Sequence, residues 1–367
     1  MGRKLRVVMA SPRNRACGIA DYATFLYEKL GPELECSWLE LPTTSSVQAW
    51  RQAAARADGA NVAHVHFEPA LFQIPRPYIN RFATFMKRLR PSALVSLHDR
   101  ILPLCPRWFE KKPYGFGDLL RDLAYLPFFA GWEKAQYGRA EHFLVHSPEM
   151  AAYIGDLAGP GRVTHILHPV PSVGCVWSAK EDHPLDLVSP GFIKAHKGFQ
   201  DLLDLMHHLP FLKWDLAGSP QDQYDRVFTN CLEKRIRELG LADRIRITGY
   251  LTRRRMEDLA TRAKAAIFPF RWAAGSGSLT WAVGLGLPVL ATDLPVIVQF
   301  KDAGAGVKLL PRDNRKCWPE RIAKVLNDPE EQALLSEANI KFARHHSYNE
   351  FARQVEGLYR LLGNRET

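Results

Sequence analysis

Phe268-Pro-Phe-Arg-Trp-Ala-Ala-Gly-Ser-Gly-Ser-Leu-Thr-Trp-Ala-Val-Gly-Leu-Gly-Leu-Pro-Val-Leu-Ala-Thr-Asp293 decides how the chain is read. Ala265 to Phe270 is a short apolar run of the kind that forms a buried parallel strand. Gly275, Ser276, Gly277 and Ser278 follow as a loop of small residues. Leu279 to Leu285 continues as an apolar helix, Gly286 ends it, and Pro288-Val-Leu-Ala opens the next strand. A small-residue loop that feeds a helix offers unbonded backbone N–H groups and the positive end of a dipole, which suits a phosphate. The same pattern also serves as a close-packed βα turn without any ligand. The stretch alone leaves both readings open.

The same alternation extends outward in both directions. Strands are expected at Leu5 to Ala10, Cys36 to Leu41, Val62 to Phe67, Ala93 to Leu97, Phe143 to His146 and Val163 to Leu167. Helices are expected at Asp21 to Leu30, Val47 to Ala57, Tyr78 to Leu89 and Leu119 to Tyr137, the last broken or kinked at Pro127. Pro148 sits in the first turn of another helix, where proline is tolerated. His168-Pro-Val-Pro-Ser-Val-Gly174 interrupts the pattern as a linker. The alternation restarts with Leu187-Val-Ser, a helix Phe199 to His207, a strand Trp214 to Ala217, a helix Tyr224 to Leu239, a strand Ile245 to Thr248 and a helix Arg253 to Ala263. Beyond the opening stretch come strand Val307 to Leu310 and helices from about Pro319. Alternating strands and helices predict α/β architecture with doubly wound parallel sheets. The boundaries fall at 1–170 and 171–345, with a last helix in 346–367. That helix carries Phe351, Val355, Leu358, Tyr359 and Leu362 as an apolar stripe. It must pack on something, either its own domain or the first.

Composition narrows the class. A chain of 367 residues is too long for one ordinary core. Its formal net charge of +10 favours anionic partners. Lys and Arg outnumber Asp and Glu on both sides of residue 170, so there is no charged tail. Cys17, Cys36, Cys105, Cys175, Cys231 and Cys317 are scattered and form no Cys-x-x-Cys pair. They read as reduced thiols of a cytoplasmic protein. Met1 to Ala10 has too short an apolar core for a signal peptide and reads as a first strand. No run approaches a membrane span, so any membrane association would be peripheral.

Ligands of open α/β sheets bind at the carboxyl ends of the strands. In the first domain that rule selects the loops Arg13 to Gly18, Glu68 to Gln73, His98-Asp99 and His146-Ser147. In the second it selects Gly191 to Gly198, Gly218-Ser219, Gly249-Tyr250 and Arg271 to Ser278. Lys197 can act as a point charge on a phosphate or be a solvated surface lysine. His98 can bond a sugar hydroxyl or carry a proton, or be a satisfied, partly buried histidine. Alternation puts His64, His66 and Glu68 on one strand face, but the run is apolar-rich, and no metal is expected there. No Asp-x-Asp metal–nucleotide signature occurs. The absence of Gly-x-Gly-x-x-Gly after strand one speaks against a dinucleotide oxidoreductase, and that of a P-loop against an ATPase of that class. Arg107-Trp-Phe-Glu-Lys-Lys-Pro-Tyr-Gly-Phe-Gly, after the basic stretch Arg76 to Arg90, suits a membrane interface or an ordinary solvated loop. No second basic cluster supports nucleic acid.

Taken in order, these pieces resemble family 4 glycosyltransferases. Cys17-Gly-Ile-Ala-Asp-Tyr is similar to the family's N-terminal glycine loop, and Ser96-Leu-His-Asp to its histidine after strand four. Pro190-Gly-Phe-Ile-Lys-Ala-His-Lys-Gly resembles its Lys-Gly loop, and Thr248-Gly-Tyr-Leu its loop near the nucleotide base. Gly286-Leu-Pro-Val-Leu-Ala-Thr-Asp resembles its Gly-x-Pro-Val segment, and His346-Ser-Tyr-Asn-Glu-Phe-Ala its C-terminal helix. The resemblance implies a GT-B fold: two facing Rossmann-like domains, with the last helix crossing back to the first. It implies a retaining, metal-independent transfer of sugar from a nucleotide-diphosphate sugar, without a cofactor. The acceptor would be a glycan or a lipid-linked molecule of cell-surface polysaccharide or glycoconjugate synthesis. His98 would face the transferred sugar and Lys197 the diphosphate. Gly18, Gly191, Lys194, Tyr250, Arg271, Gly275, Ser276, Gly277, Ser278 and Leu279 would join Lys197 around the donor. Arg13, Asn14, Glu68 and Asp99 would meet the acceptor. The protein would be cytoplasmic, with contact at the inner face of the membrane left open. Two family glutamates, expected at the positions of Ala273 and Trp281, are absent, and Phe192 replaces an arginine. Lys194 or Arg271 is the expected substitute charge. These departures keep two other readings open: a catalytically silent nucleotide-binding scaffold, and a nucleotide-sugar epimerase.

Overall fold

The computed structural model describes residues 4–13, 17–44, 46–69, 71–72, 81–99, 116–173, 176–179 and 183–364. The chain forms two compact units. One comprises Met1–Ile166 with Tyr348–Thr367, the other Leu167–Ser347.

Among the described residues, the first unit has six parallel strands: β1 Leu5–Ser11, β2 Leu34–Glu40, β3 Val62–Phe67, β4 Ser92–Leu97, β5 His142–Val145 and β6 Val163–His165. Their order across the sheet is β2-β1-β3-β4-β5-β6. Every residue of the central strand β3 is buried, as expected of a strand covered on both faces. The helices are α1 Gly18–Tyr27, α2 Val47–Ala55, α3 Arg81–Arg88, α4 Phe116–Tyr137 and α5 Pro148–Ala158. Ser46 caps α2, and Ser147 caps α5 ahead of Pro148. A break or kink was expected at Pro127; helix α4 is not broken there and continues through it. Proline there removes a single intrahelical bond, and the turns on either side carry the helix across it.

The second unit repeats the architecture. Its strands are β7 Leu185–Pro190, β8 Trp214–Ala217, β9 Ile245–Ile247, β10 Ala263–Phe268, β11 Val289–Thr292 and β12 Val307–Leu310. They lie parallel in the order β12-β11-β10-β7-β8-β9. Among the described residues, seven helices accompany them in sequence: α6 Phe199–Leu203, α7 Gln223–Glu238, α8 Arg253–Thr261, α9 Gly277–Gly284, α10 Pro295–Asp302, α11 Trp318–Asn327 and α12 Pro329–His345. Helix α6 stops four residues short of the expected His207, and Met206–His208 form a separate 3-10 turn. Helix α9 closes at Gly286, whose φ of +70° is open to glycine at little cost. The first segment of the expected linker is seated within this unit. Val170 is buried, donates its N–H to the His346 carbonyl at 2.8 Å and bridges Ser347.

The last helix, α13 Tyr348–Gly363, packs on the first unit. Tyr348, Phe351, Val355, Tyr359 and Leu362 join Val7, Met9, Tyr22, Leu26 and Leu94 in one apolar cluster. Glu356 Oε1 accepts the Gly31 N–H at 2.6 Å, and Arg360 pairs with Glu33 at 3.0 Å. Among the described residues no helix is long and apolar enough to cross a membrane.

Candidate functional site

In the second unit the loops that follow β7 and β10, both expected around a donor, come together. Gly191 follows β7 with φ +102°. A Cβ at this position would lie 3.0 Å from Lys197 Nζ and 3.2 Å from the Ser278 Cβ. Lys197 and Ser278, 81 positions apart in sequence, therefore meet over one glycine. Gly198 (φ +68°) lets the chain press against β10: a Cβ there would stand 1.9 Å from the Pro269 carbonyl oxygen. Gly218 serves the same end after β8, where a Cβ would stand 2.0 Å from the Gly191 carbonyl. The three glycines hold backbone, ammonium and helix α9 closer together than any side chain would allow.

Lys197 is only 9% exposed. Its Nζ lies 5.7 Å from the centre of the Phe270 ring. Among the described residues no carboxylate is ion-paired with it. Burial and, after it, the neighbouring Lys194 charge bring its pKa down to about 7, with Asp225 offsetting part of their effect. An ammonium in such a place costs free energy until an anion arrives.

Helix α9 points its first turn at the same spot. Ser276 is its N-cap, and its Oγ accepts the Leu279 N–H at 3.1 Å. Leu279 was expected to offer its N–H to a donor; that N–H is spent on the cap. Gly277 and Ser278 keep N–H groups that the helix itself cannot bond. Ser276 Oγ and Ser278 Oγ are 3.2 Å apart. Gly275 is exposed and lies beside His168, whose pKa burial lowers to about 4.

The two cations expected to substitute for the family's arginine have partners already. Arg271 donates Nε and Nη2 to the two carboxylate oxygens of buried Asp201, both at 2.7 Å. Arg315 holds Asp201 as well, at 2.6 Å. Lys194 Nζ lies 3.8 Å from Asp225. Ala273 and Trp281, where the resemblance led to the expectation of two glutamates, are half-buried against the apolar core of this unit. Tyr250 stands 71% exposed on the loop after β9. Asp201 and Arg315 escaped the sequence reading, since each lies far along the chain from Arg271.

In the first unit, His98 and Asp99 follow β4, His98 half-buried and Asp99 buried. Gly18 opens α1 behind Cys17, whose side chain makes no capping bond, and a Cβ on Gly18 would meet nothing within 4 Å. Arg13 lies over the Trp38 ring at 5.1 Å. Glu68 Oε2 accepts the Leu71 N–H at 3.2 Å, closing the turn after β3. Asn14 and the stretch 107–115 lie outside the described residues. His64 and His66 are engaged in hydrogen bonds within the unit. His64 joins Tyr359 Oη and Ser96 Oγ, both at 2.7 Å. His66 Nδ1 is 3.1 Å from His98 Nε2. His146 donates Nδ1–H to the Ile166 carbonyl at 2.8 Å, so its Nε2 accepts from Tyr22 Oη at 2.9 Å. Tyr22, Ser96 and Tyr359 were not legible as partners, because they come from three different elements.

Residues 178–342 match the model of the family described as glycosyl transferases group 1. Sucrose-phosphate synthase from Thermosynechococcus elongatus superposes with a TM-score of 0.72 at 16% identity, over 98% of this chain and 99% of that one. The fold is that of the GT-B glycosyltransferases. Anabaena HepE, solved with UDP and glucose, has the same fold, with a TM-score of 0.72 at 11% identity over 97% of this chain and 100% of its own. WaaG, a glycosyltransferase of lipopolysaccharide biosynthesis, has a TM-score of 0.63 at 12% identity, over 96% of this chain and 99% of its own. A search of curated protein sequences finds no match. The match to the group 1 family covers β7 to α12, which holds Gly191, Lys197 and Ser278.

Proposed function

We propose that the protein is a glycosyltransferase that takes its sugar from a nucleotide-diphosphate sugar bound at the carboxyl ends of β7 and β10. The observation that carries the reading is Lys197: a buried ammonium without a paired carboxylate among the described residues, beside Gly191 and the first turn of α9. As the bond from the sugar to the diphosphate breaks, negative charge builds on the leaving phosphate. Lys197 and the N–H groups of Gly277 and Ser278 are fixed in place to receive it. An incoming phosphate raises the Lys197 pKa, so the lysine is charged when the donor is present. This set of donors supplies the stabilisation that a metal gives in other transferases, and the reaction is metal-independent and retaining in this reading. A UDP-sugar is the first donor to try, since HepE was solved with UDP-glucose. The acceptor is a glycan or lipid-linked molecule of cell-surface polysaccharide or glycoconjugate synthesis.

One observation favours a second reading, a silent nucleotide-binding scaffold. Ala273 and Trp281, which the resemblance sets at the places of two glutamates, are packed on the core, and Arg271 and Lys194 are held by Asp201 and Asp225. A panel of UDP-, GDP- and ADP-sugars, with and without glycan and lipid-linked acceptors, separates the readings. Release of nucleoside diphosphate with a glycosylated product supports transfer, and Lys197→Ala should lower that rate by about 100- to 1000-fold, the usual cost of removing one such donor. Binding without turnover supports the scaffold. An isomerised nucleotide sugar formed without acceptor identifies an epimerase.

A further inference from the structure

A cleft lies in the first unit at the carboxyl ends of β1 and β2, between the segments that follow these strands and helix α2. Its volume is about 690 Å³, inside the range of about 300–1,000 Å³ that ligand pockets occupy. Helix α2 supplies one wall. Ala49, Gln52, Ala53 and Arg56 recur at helical spacing and line the cleft together. The two alanines leave room that longer side chains would fill. The wall is anchored beside this stripe: Trp50 is fully buried and donates Nε1–H to the Thr44 carbonyl at 2.8 Å.

Arg13 enters from the segment after β1. Its guanidinium lies over the Trp38 ring at 5.1 Å, and Trp38 is itself fixed by donating Nε1–H to the Ser11 carbonyl at 3.2 Å. A contact through the face of the guanidinium leaves the N–H donors at its edge for a ligand. Arg13 and Arg56 are both exposed, and among the described residues neither is paired with a carboxylate. The described lining sets these two guanidiniums against the single carboxylate of Glu40. A cleft with such a surplus concentrates anions. Gln52 adds an amide that both donates to and accepts from hydroxyls. No aromatic ring is among the described lining residues, so there is no face on which a nucleobase would stack. A ligand with a negative group and several hydroxyls, and without a base, fits this set. We infer that the cleft binds an anionic saccharide, with Arg13 and Arg56 on its carboxylate or phosphate and Gln52 on its hydroxyls. Under the glycosyl-transfer reading, on which this last step alone rests, that saccharide is the acceptor, so the acceptor is acidic or phosphorylated and not neutral.

Binding can be measured without any donor. The full-length protein is titrated near neutral pH with glucose, glucuronate, glucose 6-phosphate and inorganic phosphate, followed by ligand-detected NMR. Glucuronate or glucose 6-phosphate should bind at least tenfold more tightly than glucose and than inorganic phosphate, and the better of the two identifies the anion. Arg13→Gln and Arg56→Gln should each lower that affinity about tenfold or more, as expected for the loss of a charged hydrogen bond. Ala53→Leu should block binding by filling the cleft, and Lys197→Met should leave it unchanged, since Lys197 belongs to the other unit. Affinity that is no better than for glucose, equal for inorganic phosphate, undetectable for both anionic sugars, unmoved by both arginine variants or lost in Lys197→Met overturns the inference. Substitutions at exposed positions such as Arg13 and Arg56 rarely disturb folding, so these two variants decide should Ala53→Leu fail to fold. In turnover assays Arg56→Gln should raise KM for an anionic acceptor with kcat nearly unchanged; a wild type without turnover would sink the transfer reading while leaving the binding result standing.

Discussion

Replacing Lys197 by methionine should make the unliganded protein more stable. Burial and Lys194 bring the Lys197 pKa from its ordinary 10.5 down to about 7. That difference of about 3.5 units corresponds to roughly 5 kcal/mol against folding when the lysine must be charged, at about 1.4 kcal/mol per unit. The sign follows from proton counts. Between pH 7 and 10.5 the unfolded chain holds a proton that the folded chain has lost, so stability rises with pH over this window. The penalty is complete below about pH 7 and gone above about pH 10.5. Methionine keeps the apolar stem against Phe270 and lacks the charge. Imperfect packing takes back part of the gain, and a net of about 2–4 kcal/mol is expected at pH 7, several degrees in Tm. Thermal melts of wild type and Lys197→Met from pH 6 to pH 10, without nucleotide, test this. A variant that melts below the wild type at pH 7, or a gap that does not shrink toward pH 10, would refute the reasoning.

Other outcomes follow from the same geometry. His64 and His168 are held near 3 and 4 by burial, and His66 lies well below 6.5; stability should be full above about pH 6.5 and fall as pH drops toward 4, each histidine adding about 1.4 kcal/mol per pH unit, measured as proton uptake on unfolding. Gly198→Ala would force a Cβ onto the Pro269 carbonyl at φ +68°; a loss of about 3 kcal/mol or more in denaturant melts is expected, whereas Gly240→Ala, also at positive φ but in open space, should cost only about 1 kcal/mol. Asp201→Asn removes the charge that holds Arg271 and Arg315 and should lower stability by about 2–3 kcal/mol in the same melts. Truncation after Ser347 strips Phe351, Val355, Tyr359 and Leu362 from the first unit; the product should bind hydrophobic dyes and aggregate, and a soluble, cooperatively melting product would count against the packing described for α13.

The architecture was legible because each strand announces itself locally. Val62–Phe67, Trp214–Ala217 and Val307–Leu310 fall where the apolar runs put them. The Gly-Ser loop was legible as a helix entrance, and the cap at Ser276 could have been read from it too: a serine at the entrance spends its Oγ on the N–H three residues on, which removes Leu279 from the free donors. Side-chain partnerships were out of reach. Arg271 looked like a free charge because Asp201 lies 70 residues away, and Asp201 is buried beside it only once α6 packs against β10. His64 and His66 suggested a shared face, but which group each would meet depends on strand register. Phe67 pairs with Leu97, which brings His66 alongside His98, and nothing local in either strand encodes that pairing. Helix α6 ran shorter than expected because the apolar periodicity continued into Met206, where the backbone had already tightened to a 3-10 turn.

The claim at the centre is that Lys197, Gly191 and the start of α9 hold the diphosphate of a nucleotide donor. Calorimetric titration of the wild type and Lys197→Met with UDP and with GDP, at matched pH and ionic strength, tests it most directly. The account predicts that one of the two diphosphates binds the wild type and that Lys197→Met, though folded and more heat-stable, loses at least tenfold in affinity for it. Equal affinity in the two proteins would contradict the account.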